Sequence, residues 1–252
     1  MAILWQKTYQ GSTYEVRTAG RTRRLYTDGV FHSQYHPQRT LAGGIWDLLW
    51  LPALFRQPPR FGRVLMLGVG GGTVFHQLQR YVDVTEMVGV ELNPIHVQVA
   101  RDYFEIAQCG AQLHQAEAGE WLRNYRGPKF DLIIEDLFGE QAGEPVRAIS
   151  ADQEWFELLT RNLSRDGMLV MNFVSRKSLR DCAWYHQAKL RKALPQGYQF
   201  TLPAFENYIA CFLRQPSSSQ RLREQLNGVP ALAQEISRGN FNFTVRRLLA
   251  GR

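Results

Sequence analysis

The feature that most constrains this chain is a run of glycines between an apolar segment and a segment of helical character. The apolar run Val64 to Leu67 is of buried-strand type, and a helical pattern begins at Val74. The turn between them contains Gly68, Gly70, Gly71 and Gly72. Glycines let a backbone turn sharply and approach a ligand closely, and the free N–H groups of a helix start attract an electronegative group. The sequence therefore predicts a strand, a tight turn and a helix that together could receive a ligand.

A second apolar segment indicates a nucleoside as that ligand. Val84 to Val90 is predicted as the next strand, and Glu91 follows it roughly twenty residues after the glycines, the separation typical of nucleoside-binding βαβ units. A carboxylate at this place can accept hydrogen bonds from both ribose hydroxyls. A glycine-rich turn without such an acid is equally compatible with a ligand-free connection, so the prediction depends on the pair.

The central region continues as an alternation of strands and helices. Further strands are predicted at Gln112–Gln115, Phe130–Glu135, Met168–Phe173, Gln199–Leu202 and Tyr208–Leu213, the last two antiparallel. This alternation predicts an α/β fold with a doubly wound, mostly parallel, Rossmann-like sheet. Such sheets bind ligands beyond the carboxyl ends of their strands. We therefore expect Gly68, Glu91, Glu117 and Asp136 to converge on one edge.

One helix between these strands has a clear start signal. Asn93 can cap it and Pro94 can begin it, and the helix is expected to carry Ile95, Val99 and Phe104 toward the sheet. A later helix is expected over about Leu179 to Ala193.

Two regions flank this core. Met1 to about Thr40 contains short alternating segments and the turn Asp28-Gly29, which predicts a small antiparallel β element. Leu41 to Phe55 is predicted as a helix that ends near Pro52, and the tail after Pro216 as a polar linker followed by amphipathic helical pieces. The expected domains are therefore 1–56, 57–215 and a helical tail over 216–252.

Composition narrows the classes of partner. The net charge of +7 indicates attraction to anions, but no basic run with interleaved aromatics appears, so nucleic acid is disfavoured. The three cysteines form no metal-binding pattern, and we expect no metal. The first ten residues are too polar for a signal peptide and no apolar run approaches membrane-spanning length, so we expect no membrane contact and a cytoplasmic location.

Two further acids are candidates for chemistry. Glu117 follows a predicted strand, where its carboxylate can accept a bond from an adenine amino group or serve as a helix-start acid favoured by the dipole. Asp136 follows the apolar run FDLIIE and could take a proton from a nucleophile or hold an ammonium group. The alternative for Asp136 is a turn or capping aspartate. We favour the functional role because such residues concentrate on loops at this edge.

The segments LYTDGV, VLMLGVGGGTV, VGVEL, AEAGEWL and FDLIIEDLFGE, in this order, resemble the spermidine synthase (polyamine aminopropyltransferase) family. The resemblance covers roughly residues 25–213. It implies a class I methyltransferase fold behind a small N-terminal β domain, a donor that is S-adenosylmethionine or its decarboxylated form, and a homo-dimer or homo-tetramer. By resemblance Glu91 binds the ribose, Glu117 contacts the adenine and Asp136 deprotonates the attacking amine.

The predicted site combines both lines of reasoning. The donor-binding residues are Gly68, Gly70, Gly71, Gly72, Glu91, Leu92, Glu117, Ala118, Asp136 and Leu137. Asp136 is the one predicted catalytic residue.

This chain departs from the family pattern where the family holds cations. Gly71 replaces an aspartate that binds the donor's ammonium group, and Gly139 replaces a second aspartate. A Tyr-His-Glu set falls near Gly44 to Trp46, and a glutamine becomes His32. A buried ammonium group without a carboxylate is costly, so the acceptor is expected to be less cationic.

These departures set the order of the functional hypotheses. Methyl transfer from S-adenosylmethionine to an uncharged or aromatic small-molecule acceptor comes first. Aminopropyl transfer from decarboxylated S-adenosylmethionine comes second, because Asp136 is retained and Glu140 or Glu144 could replace a lost carboxylate. A non-catalytic nucleoside-binding or scaffold protein comes third.

Overall fold

The N-terminal segment forms a four-stranded antiparallel sheet. In the computed structural model of the protein, residues 1–141 and 144–249 are described, without the side chains at positions 140, 141, 144 and 145. The strands β1 to β4, in spatial order, are Ala2–Tyr9, Ser12–Ala19, Thr22–Thr27 and Val30–Tyr35. Asp28 and Gly29 both have positive φ, +48° and +81°, as a two-residue hairpin with the usual strand twist requires. The predicted hairpin is therefore confirmed.

The segment after this sheet is only partly helical. The helix α1 spans Trp46–Trp50, and a 3₁₀ helix continues over Leu51–Phe55. The predicted helix from Leu41 is wrong in its first turn. There the backbone folds onto Asp47, whose carboxylate accepts the N–H groups of Ala42 and Gly43 at 2.8 and 2.7 Å. Backbone N–H groups that donate to this side chain do not donate to the carbonyl four residues earlier, so the segment is not helical here.

The main domain contains an eight-stranded mixed sheet. Its strands in chain order are β5 Arg60–Leu67, β6 Asp83–Glu91, β7 Gln112–Gln115, β8 Phe130–Glu135, β11 Leu163–Phe173, β12 Gln196–Thr201, β13 Tyr208–Leu213 and β14 Thr244–Arg247. In space the order is β14-β12-β13-β11-β8-β5-β6-β7, with the last five parallel. The chain therefore winds outward in both directions from the boundary between β5 and β8. The predicted doubly wound, mostly parallel fold is confirmed.

Helices cover the sheet on both faces. They are α2 Thr73–Tyr81, α3 Pro94–Asp102, α4 Ala118–Asn124, α5 Gln153–Asn162, α6 Arg176–Arg180, α7 Ala183–His186, α8 Ala188–Ala193, α9 Ser219–Gly228 and α10 Pro230–Ser237, with a 3₁₀ helix at Ile106–Cys109. Along β5, Val64 and Met66 belong to one hydrophobic core and Leu65 and Leu67 to the other. This alternation gives the sheet a core on each side.

Two predictions about helices are corrected. The segment from 179 to 193 is not one helix, because breaks at Asp181–Cys182 and Gln187 divide it into α6, α7 and α8. Ile95, Val99 and Phe104 do not face the main sheet. They pack in a third core with Tyr14, Val16, Leu25 and Tyr35 of the N-terminal sheet. Helix α3 therefore joins the two sheets.

The end of the tail is a strand rather than a helix. Thr244–Arg247 pairs antiparallel with β12, whose outer edge would otherwise present unpaired backbone groups. The helices α9 and α10 bury Leu222, Leu226 and Leu232 in the same core as the first strand of the main sheet. The tail thus packs onto the main domain.

An antiparallel hairpin leaves the sheet directly after β8. Its strands are β9 Phe138–Gln141 and β10 Glu144–Arg147, and it was not predicted.

Among the helices of the described residues, none has the length and apolar content needed to cross a membrane.

Candidate active site

The carboxyl ends of β5 and β8 meet at the glycine turn. Gly68 donates its N–H to the carbonyl of Val90 at 2.9 Å, and Asp136 donates its N–H to the carbonyl of Leu67 at 2.8 Å. Gly68 has a φ of +79°, and a Cβ placed on it would stand 2.2 Å from the Asp136 carbonyl oxygen. A side chain here would separate the two strand ends. Leu137 reaches the same spot, with Cδ2 3.4 Å from that Cβ position.

Glu91 is turned into the glycine turn. The residue is only 8% exposed, its Oε2 accepts the N–H groups of Val69 and Gly70, each at 2.9 Å, and its Oε1 accepts the N–H of Asn93 at 2.9 Å. Burial raises the pKa of Glu91, and these three N–H bonds oppose the shift. The acid is therefore held rigidly beside the turn, away from bulk water.

The other glycines of the turn pack against neighbouring elements. A Cβ on Gly71 would lie 2.5 Å from the Phe104 ring and 2.9 Å from the Ser33 hydroxyl, and one on Gly72 would lie 2.4 Å from Ile106. A Cβ on Gly70 would lie 3.4 Å from the backbone carbonyl oxygen of His32. The side-chain positions of this turn are thus occupied by the N-terminal sheet and by the segment after α3.

The N-terminal sheet is bonded to the start of α2 at this turn. The Ser33 hydroxyl lies 2.8 Å from the Thr73 hydroxyl, and Thr73 donates to the Gln34 carbonyl at 2.8 Å. Ser33, Gln34 and Thr73 are all buried. The turn is therefore enclosed by both sheets.

Asp136 has an unusual environment for a carboxylate. Its Oδ1 accepts the amide of Asn172 at 2.8 Å, and the Asn172 carbonyl oxygen of the side chain accepts the amide of Asn207 at 3.0 Å. Desolvation raises the pKa of Asp136 to about 6, the nearby Glu91 adds to the shift, and Asn172 and Arg147 oppose it. A carboxylate with a raised pKa is a better proton acceptor than an ordinary one.

Glu117 follows β7 at the same edge of the sheet as Glu91, where Ala116 donates its N–H to the Glu91 carbonyl at 3.1 Å. Glu117 caps α4, and its two oxygens accept the N–H groups of Gly119 and Glu120 at 2.9 and 2.6 Å. It lines a surface cavity of about 640 Å³ beside α4, and neither Glu91 nor Asp136 lines that cavity. Leu92 is 65% exposed and Ala118 is buried. The donor contacts of Glu117, Leu92 and Ala118 stay predictions.

Two buried charged residues beside Asp136 were missed by the sequence analysis. Glu135 is fully buried and accepts two bonds from the Arg147 guanidinium, at 2.9 and 2.8 Å. Glu135 was interpreted only as the end of an apolar strand, although a carboxylate closing such a run requires a cation. No signal in the sequence identified Arg147 as that cation, because the hairpin that carries it has no distinctive turn pattern.

Two histidines lie against Glu91. The rings of His32 and His96 are 4.9 Å apart, His96 Nδ1 is 3.8 Å from Glu91 Oε1, and His96 Nε2 is 3.0 Å from the Thr27 hydroxyl. Burial lowers the pKa of each ring to about 4. The His96 side chain is buried and packs against Glu91.

Gly44 to Trp46, which the family resemblance associates with the acceptor, lie among aromatic side chains. Phe31 and Trp46 contact edge to face at 5.0 Å, and a Cβ on Gly44 would lie within 3 Å of Trp46 and 3.7 Å from Phe205. Gly139 is exposed. The side chains of Glu140 and Glu144, suggested as substitute carboxylates, lie outside the described residues. Within the parts that are described, no set of three histidine, cysteine or acidic side chains is grouped to hold a metal ion.

The doubly wound sheet and its helices define the class: a protein with a methyltransferase-like α/β fold. Residues 50–219 match the family model "Spermine/spermidine synthase domain". The chain belongs to this family, and the predicted resemblance is confirmed.

Similar proteins agree with that placement. The polyamine aminopropyltransferase of Vibrio vulnificus is 26% identical over 184 residues, 71% of this chain and 60% of the relative, so this chain spans less than two thirds of that protein. A probable spermidine synthase from Corynebacterium glutamicum has a TM-score of 0.68 at 18% identity, over 90% of this chain and 88% of that one. Human methyltransferase-like protein 13 in complex with SAH has a TM-score of 0.60 at 20% identity, over 76% and 91%. At these identities the structures show the shared fold.

Proposed function

We propose that the protein is a polyamine aminopropyltransferase that uses decarboxylated S-adenosylmethionine as donor. The family match over residues 50–219 supports aminopropyl transfer over the methyl transfer ranked first from the sequence. The observation that carries the proposal is the position of Asp136, a carboxylate with a pKa raised to about 6 in backbone contact with the glycine turn. An amine acceptor has to lose a proton as it attacks, and this carboxylate stands where the proton can be taken.

In this reaction the acceptor nitrogen attacks the aminopropyl carbon that is bonded to the donor sulfur. The new N–C bond forms as the C–S bond breaks, the bonding pair returns to sulfur, and methylthioadenosine leaves as a neutral thioether. Asp136 accepts the proton from the attacking nitrogen. Because the sulfonium group is itself a good leaving group, we expect most of the acceleration to come from holding the attacking nitrogen and the donor sulfur in line with the transferred carbon.

Glu91 is proposed to anchor the donor ribose. Its two oxygens already accept three backbone N–H bonds, and a carboxylate has about four lone-pair sites for acceptance. One site is therefore left, and together with the neutral His32 and His96 beside it, this site supports Glu91 as a fixed acceptor for one ribose hydroxyl.

Methyl transfer from S-adenosylmethionine is the second candidate, and one observation favours it. Gly71 carries no carboxylate for a donor ammonium group, and the Phe104 ring and the Ser33 hydroxyl fill the space that such a side chain would need. Because Gly71 has no carboxylate that would repel the carboxylate of S-adenosylmethionine, this position no longer selects for the decarboxylated donor.

The products distinguish the two reactions. Purified protein is incubated with decarboxylated S-adenosylmethionine and putrescine, and separately with S-adenosylmethionine and a set of amine and phenol acceptors, and the nucleoside product is identified by mass spectrometry. Methylthioadenosine together with spermidine supports the proposal, whereas S-adenosylhomocysteine supports methyl transfer. If calorimetry also detects no binding of either donor or of methylthioadenosine, a scaffold role replaces both enzyme hypotheses.

The assembly, domain and location predictions are retained as proposals. We propose a homo-dimer or homo-tetramer in the cytoplasm, with units at 1–56, 57–215 and 216–252. Light scattering coupled to gel filtration tests the assembly, and a monomer at micromolar concentration contradicts it.

A further inference from the structure

A buried arginine connects three elements around Asp136. Arg147 is the last residue of β10, and its guanidinium forms a two-bond ion pair with Glu135 at the end of β8. The same guanidinium donates to the backbone carbonyl of Asn172 on β11 and lies 5.0 Å from the ring centre of Phe173. The Arg147 and Glu135 side chains are 9% and 0% exposed. No part of this arrangement is used by the reaction described above.

Arg147 contacts Glu135 and Asn172, and these two residues influence the position of Asp136. Glu135 precedes Asp136 in the chain, so its orientation determines where the backbone leaves β8. The side chain of Asn172 donates to Asp136 Oδ1, while its backbone carbonyl accepts from Arg147. A planar guanidinium with several donors in fixed directions constrains both partners at once.

We propose that Arg147 is a positioning residue of the transfer reaction, which holds Asp136 in the orientation and charge state needed to accept the acceptor's proton. The proposal rests on the proposed function for the reaction itself. It does not depend on which acceptor is used, because the contacts of Arg147 are to the protein.

The charges around Asp136 explain why a cation is needed there. The charge of Glu91 from β6 raises the pKa of Asp136, and the charge of Asp136 raises the pKa of Glu135 on β8. Asn172 from β11 is a neutral donor to Asp136, and Arg147 from β10 is the cation that acts on both Asp136 and Glu135. Burial raises the pKa of Asp136 and the Arg147 charge opposes that effect. Without Arg147, three carboxylates in the same low-dielectric region would compete for protons.

The chain contains a matched control at the opposite end of the same sheet. Arg63 pairs with Glu86 at 2.8 Å and stacks over Phe130 at 5.3 Å, as Arg147 does with Glu135 and Phe173. Arg63 and Arg147 each also have a buried Nε for which the described residues provide no partner. Both arginines thus pair with a glutamate and stack on a phenylalanine, but the Arg63 and Glu86 side chains are more exposed, at 20% and 32%, and lie at the other end of the strands from Asp136.

The experiment compares Arg147→Gln, Arg147→Lys and Arg63→Gln by kcat, KM and the pH dependence of kcat. For Arg147→Gln we expect kcat to fall at least about tenfold with KM within about threefold, and the acid limb to move to higher pH by roughly one unit, because a neighbouring cation is lost. Arg147→Lys should recover the limb position and part of kcat. Arg63→Gln should leave both unchanged.

Two further measurements keep the outcome decisive. If Arg147→Gln does not fold, Glu135→Gln/Arg147→Gln removes both buried charges, and we expect it to fold with a reduced kcat. If the wild-type protein turns over neither donor, the proposed function fails, and the role of Arg147 is then tested by titrating the ¹³C-labelled aspartate carboxyls by NMR, with Asp136→Asn assigning the signal. An Asp136 titration that does not move upward in Arg147→Gln, or an equal shift in Arg63→Gln, overturns the inference.

Discussion

Two aspartates at opposite ends of β8 have opposite environments. At the amino end, Asp131 accepts the N–H groups of Gly62 and Arg63 at 2.7 and 3.3 Å and the Ser164 hydroxyl at 2.6 Å. At the carboxyl end, Asp136 accepts one side-chain bond, from Asn172. Burial acts to raise the pKa of Asp131, but these bonds and the charge of Arg56 lower it overall, whereas the pKa of Asp136 is raised to about 6.

The ionised form of Asp131 therefore stabilises the folded protein, whereas the ionised form of Asp136 destabilises it. Asp131 joins β5, β8 and β11 at their amino ends, where its charge is satisfied by hydrogen bonds. Asp136 is kept desolvated at the end where ligands bind in such sheets. A strand of six residues thus has a hydrogen-bonded acid near its amino end and is followed by an acid with a raised pKa at its carboxyl end.

The comparison predicts its largest effect for turnover. Asp136→Asn removes the proton acceptor, and we expect kcat to fall by about 10² to 10⁴, the usual contribution of general base catalysis. Asp131→Asn is the control and should retain near wild-type kcat below its melting temperature. The measurement is initial rate with saturating donor and acceptor. Equal losses in both variants would mean that Asp136 has no special role.

The next effect concerns donor binding and uses the two acids of β6. Glu91→Ala should weaken binding of the donor by about 1.5–3 kcal/mol, through lost charge-assisted hydrogen bonds and a freed glycine turn. Glu86→Ala, at the amino end of the same strand, should bind donor like the wild type. Calorimetric titration with methylthioadenosine measures both. Unchanged affinity in Glu91→Ala would remove the ribose assignment.

The two aspartates should also differ in their effect on stability. Asp131→Asn directs an amide at backbone donors and should cost about 1–3 kcal/mol of unfolding free energy. Asp136→Asn should stabilise the protein at pH 7 by a similar amount, about 1–3 kcal/mol, because it removes a desolvated charge. Urea denaturation at pH 7 measures both. A loss of stability in Asp136→Asn would show that its ionised form is favoured by the fold.

The smallest effect is a pH dependence with opposite signs. Because the pKa of Asp136 is raised from 3.8 to about 6, the folded state binds the extra proton between these values, and its contribution to stability falls as pH rises through that window. Asp131, with a lowered pKa, stabilises the protein above 3.8 and loses that contribution as pH falls below it. Because the proposed base is protonated below its pKa, activity should also fall about tenfold per pH unit below about 6. Activity that stays constant down to pH 5 would contradict the base assignment.

The parts of the site that could be predicted from the sequence are those that a few neighbouring residues determine. Gly68, Glu91 and Asp136 each follow an apolar run directly, and the carboxyl ends of parallel strands must share an edge, so their convergence followed from strand order alone. The cap at Asn93 was similarly local: its side chain accepts the N–H groups of Ile95 and His96.

The parts that were missed depend on contacts between distant segments. Arg147 pairs with Glu135 only because an unpredicted hairpin turns back onto the sheet. Phe104 had the spacing of a core residue, but spacing alone does not distinguish the main sheet from the N-terminal one. The strand Thr244–Arg247 forms because β12 offers a free edge, which is a property of the assembled sheet.

The bonds between Ser33, Gln34 and Thr73 limit how this architecture can be recombined. A graft of the glycine turn and its helix into another scaffold would leave the Thr73 hydroxyl without its two buried partners, Ser33 and the Gln34 carbonyl. Shuffling of related chains should therefore succeed with crossover points after α2, where the first sheet and the turn are inherited together, and fail with crossovers between residues 36 and 60.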